Sequence, residues 1–156
     1  MKKNFLVICC SLILFACQET KSPATKTVDG ITTKTVELED ETTICVKRII
    51  AFDNQLWELR NDATLERSLS EAITTYVRAF DQADFSSCPP EFERAFQHHL
   101  GAWKGIIAVT DKHPKMRGKM VDLFDQLENG EDAAAMKKAI AQIDATWAKV
   151  EAAMKK

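Results

Sequence analysis

Five apolar stripes at helical spacing fill the chain from residue 40 onward, and they constrain its fold more than any other feature. Residues on one face of an α-helix recur every three or four positions. Cys45, Ile49, Phe52, Leu56 and Leu59 do so. Leu65, Leu69, Ala72, Ile73, Tyr76 and Phe80 form a second stripe, out of phase with the first. The third runs through Phe92, Phe96, His99, Leu100, Trp103, Ile106 and Ile107, and the fourth through Met116, Met120, Leu123, Phe124 and Leu127. The fifth, Met136, Ile140, Ile143, Trp147, Val150 and Met154, keeps its period to the end of the chain. A strand over 43–50 is the competing reading, because Ile44, Val46 and Ile50 partly alternate. Arg48 interrupts that alternation while the helical pattern runs on.

Punctuation between the stripes sets the expected helix ends. Glu39, Asp40 and Glu41 open the first helix, where negative charge complements the macrodipole. The phase breaks at Asn61-Asp62, with Asp62 as the expected N-cap, so a tight turn there joins two antiparallel helices. One long bent helix is the alternative. Pro89 and Pro90 fall in the first turn of the third helix, which costs little, and Pro114 ends it. Asn129-Gly130 stops the fourth. Short links between amphipathic helices predict an all-α fold: an up-and-down antiparallel bundle of four to five helices over residues 40–156, after a disordered tether.

The amino terminus carries a different pattern. Lys2 and Lys3 precede an apolar run from Phe5 to Phe15 of about eleven residues, against the roughly 20 that a spanning helix needs. It ends in Leu14-Phe15-Ala16-Cys17. That segment resembles the signal of bacterial membrane lipoproteins, although Phe15 stands where a smaller residue is usual. The resemblance covers residues 1–17 only. It implies that residues 1–16 are a removed signal peptide and that Cys17 is the lipid attachment point, its thiol joined to a diacylglyceryl group by a thioether. The mature chain is then residues 17–156. Each buried methylene contributes about 0.8 kcal/mol, so two or more acyl chains hold the protein at a bilayer. Residues 18–36, QETKSPATKTVDGITTKTV, are polar and without period. Residues 17–39 therefore read as lipidated cysteine and flexible tether, with a span of roughly 25 Å. Gln18 is not the aspartate that retains lipoproteins at the inner membrane in some bacteria, which favours the cell outer membrane, with the domain in the periplasm or at the cell surface.

Loss of Lys2 and Lys3 from the 21 basic residues leaves 19 against 23 acidic ones, a net charge near −4. With no basic stripe, nucleic acid is not an expected partner. Cysteine usage suits an exported protein. With Cys9 and Cys10 removed and Cys17 lipidated, Cys45 and Cys88 remain as an even pair, expected to form a disulfide across one end of the bundle. The alternative is that Cys88, as N-cap of the third helix, is a reactive thiol.

No CxxC, CxxCH, HExxH, phosphate-binding glycine loop or GxSxG occurs in the chain. An enzyme is not expected. His98 and His99 diverge on a helix, His99 falling on the apolar stripe as a core or rim histidine. His113, Met116 and Met120, spaced i, i+3 and i+7, form a column of soft ligands only if the helix is continuous, and Pro114 argues against that. With His99 they are the weak candidates for copper or haem. Gly101 and Gly105 suggest a close helix crossing. Trp57, Trp103 and Trp147 come from three helices and read as core or groove residues, with an aromatic-lined ligand pocket as the alternative. The expected function is that of a lipid-anchored, non-enzymatic binding or structural module with an envelope protein partner. The alternatives are a haem- or copper-binding periplasmic bundle and an envelope inhibitor or immunity protein.

Overall fold

The structure is a computed structural model that describes residues 39–155. The signal segment, Cys17 and all but the last residue of the expected tether lie outside the described residues. Those described form five α-helices: α1 Glu41–Glu66, α2 Leu69–Ala79, α3 Pro90–Thr110, α4 Met120–Glu128 and α5 Ala133–Met154, with a short 3-10 turn at Phe80–Gln82 after α2. The fold is the expected all-α bundle.

Its antiparallel order follows from side-chain pairings that run in opposite directions. Phe52 meets Phe80, while Asp53 meets Tyr76 farther along α1 and farther back along α2. Between α2 and α3, Phe80 packs on Phe96, Tyr76 on Trp103, and the Ser70 hydroxyl bonds Asp111. Between α3 and α5, His99 meets Thr146 and Trp147, and His113, just past α3, meets Asp132, just before α5. Phe92, Phe96, Leu69, Ile73, Ile106, Leu123, Met136 and Val150 are fully buried between these helices. The aromatic run Phe52, Phe80, Phe96, Phe92 and Phe85 fills the end of the core near the start of α1.

That end is closed by the Cys45–Cys88 disulfide, with Cα atoms 5.1 Å apart. The pairing excludes the reactive-thiol alternative for Cys88 in this state. Pro89, one residue later, holds the N-cap position of α3.

The first helix break lies farther along the chain than the apolar phase suggested. α1 continues through Asn61-Asp62 to Glu66, and the N-cap of α2 is Ser68, not Asp62. Ser68 and Glu71 form a capping box: each side chain bonds the other's backbone N–H, satisfying two donors at the helix start. So residues 41–79 are two helices, hinged at Arg67-Ser68. Leu59 and Leu65, assigned to the core stripes, are 57% exposed, while Asp53, Arg60 and Thr64 are buried. The true inner face of α1 is Cys45, Ile49, Asp53, Arg60 and Thr64, with polar residues over its second half.

The fourth helix starts at Met120 rather than Met116. Residues 111–119 instead fold back over the α1–α2 hinge. The Gly118 amide donates to the Thr64 carbonyl at 2.8 Å and the Leu69 amide to the Met116 carbonyl at 3.0 Å. Gly118 has φ +143°, a conformation that a side chain would strain. Gly101 and Gly105 are not at a helix crossing. Both are exposed, and a Cβ added at either would meet nothing within 4 Å.

Candidate functional site

The inner face of α1 sets the site. Because Asp53 and Arg60 follow Ile49 at helical spacing, they turn inward with it, against Tyr76 of α2 and Trp103 of α3. Arg60 is only 4% exposed. Its guanidinium carbon lies 4.0 Å from the centroid of the Trp103 ring and 4.6 Å from that of Tyr76. The two rings meet edge to face, 5.6 Å apart, so the cation rests in the corner between them.

The Tyr76 hydroxyl donates to Asp53 Oδ1 at 2.6 Å. Burial raises the Asp53 carboxyl above its ordinary pKa, partly countered by that hydrogen bond and by the charge of Arg60. Burial and the facing carboxylate raise the Tyr76 phenol well above its own range. Burial lowers Arg60.

Arg60 has no hydrogen-bonded acceptor and no ion pair among the described residues. Its Nε is enclosed without a partner. A buried guanidinium ordinarily satisfies its five donors, so this one is held by ring faces and the nearby field of Asp53 alone.

His99 is fixed on the other side of Trp103. The Trp103 indole N–H, which can only donate, bonds His99 Nε2 at 3.1 Å. Nε2 is therefore the acceptor and the proton sits on Nδ1, which faces the Thr146 hydroxyl at 3.1 Å. Thr146 passes its own proton to the Gln142 and Ile143 carbonyls. Burial pushes the imidazole down to about 4, so it is neutral near pH 7.

These groups border a cleft of about 440 Å³ between α1, α3 and α5. Trp57, Trp147, Asn54, Ile143 and Asp144 complete its wall. Trp57 is 54% exposed at the rim. Trp147 packs on His99 with ring centroids 5.1 Å apart, and its N–H donates to Glu151. All three tryptophans of the chain thus face one opening, the arrangement of the aromatic-lined pocket that the sequence left as the alternative to core packing.

The metal and haem candidates are not brought together. His113 lies in the loop after α3, half-buried, with Nε2 2.9 Å from Asp132 Oδ2. Met116 is in the same loop and Met120 is buried in the first turn of α4, so no continuous helix carries the column. His99 stands apart from all three, with both ring nitrogens engaged. His113, Glu131 and Asp132 have ligand atoms within 4.8 Å of one another, but the Asp132 carboxylate is already shared between Lys112 and His113.

Asp53 and Arg60 belong to no apolar stripe and to no known motif. Their signal was positional, since each stands four residues after a stripe member, Ile49 or Leu56. No family model matches the chain, and no curated protein or solved structure gives a match. No helix among the described residues is long and apolar enough to cross a membrane.

Proposed function

We propose that this chain is a non-enzymatic binding module of the bacterial cell envelope, held at a membrane by lipid on Cys17, and that it binds a small organic ligand in the cleft between α1, α3 and α5. One observation carries the binding reading: Arg60 sits buried in an aromatic corner with no acceptor among the described residues, beside an opening rimmed by tryptophan. A cleft of a few hundred Å³ that combines indole surface with convergent polar groups has the make-up of a small-molecule site. The disulfide supports the extracytoplasmic half of the reading, because such bonds persist in oxidising compartments.

Two measurements test it. Metabolically supplied fatty acid is expected to label the wild-type protein and not Cys17→Ala; label persisting on the variant would overturn the anchor. For the cleft, tryptophan emission of the full chain is followed during titration with a panel of organic anions, organic cations and neutral aromatics. At least one class is expected to shift it, and Trp57→Ala to weaken that response. If no class alters emission, the binding reading is wrong.

A further inference from the structure

The groups facing the cleft narrow its ligand, given that the cleft binds one. Four observations bear on the choice. Arg60 is buried and has no hydrogen bond to any of the described residues. Its Nε is enclosed, whereas its Nη atoms, equally without a protein acceptor, are not among the enclosed unpaired atoms and so keep access to the cleft. Trp57 and Trp147 offer indole surface at the opening. Asp53 lies inside, its Oδ1 committed to the Tyr76 hydroxyl, and Asp144 is exposed on the wall.

Each simple class of ligand leaves part of this arrangement unused or opposed. A multiply charged inorganic anion would meet Arg60 but also two carboxylates, and would not use the indoles. A cation would be drawn to the indoles and the carboxylates, with Arg60 repelling it. A neutral hydrocarbon would cover the tryptophans and seal Arg60 away with its donors still unpaired, which is costly for a buried charge. A flat ring bearing a single carboxylate uses both the cation and the indoles. Its two oxygens match the planar fork of a guanidinium, and its ring lies against indole. Its single negative charge pairs the one cation of the wall and meets Asp53 and Asp144 with less repulsion than a multiply charged anion would. The cleft volume of about 440 Å³ suits a ligand of one or two fused rings.

We propose that the cleft binds an aromatic monocarboxylate, its carboxylate on the Nη atoms of Arg60 and its ring against Trp57 and Trp147. This rests on the cleft being a binding site, and its test separates the two claims.

The full chain, disulfide intact, is titrated calorimetrically with 2-naphthoate, with the neutral 2-naphthamide and with cyclohexanecarboxylate. The expected result is one site for naphthoate, about tenfold or more tighter than for either comparison compound, the range of a charge-assisted hydrogen bond to a buried partner. Arg60→Met is expected to bring naphthoate down to the affinity of the amide, and Trp57→Ala, at a half-exposed position, to weaken naphthoate with the fold intact. If Arg60→Met does not fold, the ratio of naphthoate to naphthamide on the unaltered chain decides. Equal affinity for those two would overturn the carboxylate proposal and leave the cleft as a site for neutral aromatics. No binding of naphthoate, with a response to another class in the emission panel, would overturn the ligand class and retain the cleft. Silence across both experiments would remove both claims.

Discussion

The Arg60 guanidinium stacks on the Trp103 ring at 4.0 Å without a single hydrogen-bonded acceptor among the described residues. A charge retained for stability would be expected in a hydrogen-bonded pair; this one has only ring faces and a nearby carboxylate. Replacing a whole buried ion pair by apolar side chains is often neutral or stabilising, whereas removing one partner strands the other. Arg60 has no hydrogen-bonded partner among the described residues to strand, and only its field on Asp53 is lost. Arg60→Met is therefore expected to change unfolding free energy by less than about 1.5 kcal/mol in urea titration. A loss above about 3 kcal/mol would mean that the cation holds the fold together.

Trp103 is the contrary case. It is buried, packs on Tyr76 and Phe124, and donates its N–H to His99. Trp103→Ala leaves a large cavity and frees His99 Nε2, so a loss of about 3–5 kcal/mol is expected by chemical denaturation.

His99 gives the domain a defined acid response. Its pKa is 6.5 when unfolded and about 4 in the bundle, where burial disfavours the charged ring. Below pH 6.5 the unfolded chain takes up a proton that the native state refuses. The contribution is thus complete above 6.5 and is lost as pH falls toward about 4. His99→Gln lacks that loss, so the stability gap between wild type and variant is expected to narrow steadily from pH 7 to pH 4.5. Asp53, raised by burial, acts in the opposite direction, and the lowered carboxyls Asp40, Glu71, Asp84 and Asp132 act at lower pH. All five are common to both proteins. A constant gap across that range would contradict a neutral, buried His99.

The Cys45–Cys88 bridge joins residues 43 apart. In the chain-entropy account, closing a loop of that length removes about 4 kcal/mol of unfolded-state freedom. Reduction, or the double variant Cys45→Ser with Cys88→Ser, is expected to lower the denaturation midpoint accordingly while far-ultraviolet dichroism stays helical.

Ser68→Ala removes the hydroxyl that accepts from the Glu71 amide and breaks the reciprocal cap at the hinge. A loss of about 1 kcal/mol is expected. Asp62→Ala, exposed and near the carboxyl-terminal end of α1, is expected to change stability by less than about 0.5 kcal/mol.

The contrast between Ser68 and Asp62 shows how far the sequence could be read. Helix number and the faces of α3 and α5 were legible because their stripes are apolar over nearly their whole length, and Phe92, Phe96, Trp103, Met136 and Val150 are all buried. α1 was legible only over its first half. After Ile49 its inner face carries Asp53, Arg60 and Thr64, so a count of apolar residues drifted onto Leu59 and Leu65 and placed the turn too early. The capping signature Ser68-x-x-Glu71 would have corrected the boundary.

By itself the sequence determined an all-helical bundle and a cysteine pair placed to bridge one end. These follow from local periodicity and spacing, which neighbouring residues fix among themselves. The cleft was decided only in three dimensions. Arg60, Asp53, Tyr76, His99 and Trp147 come from four different helices, and helical spacing can point an arginine inward without showing what will cover it. Its burial is set by Trp103 and Tyr76 closing over it, a contact that exists only once α1, α2 and α3 have packed.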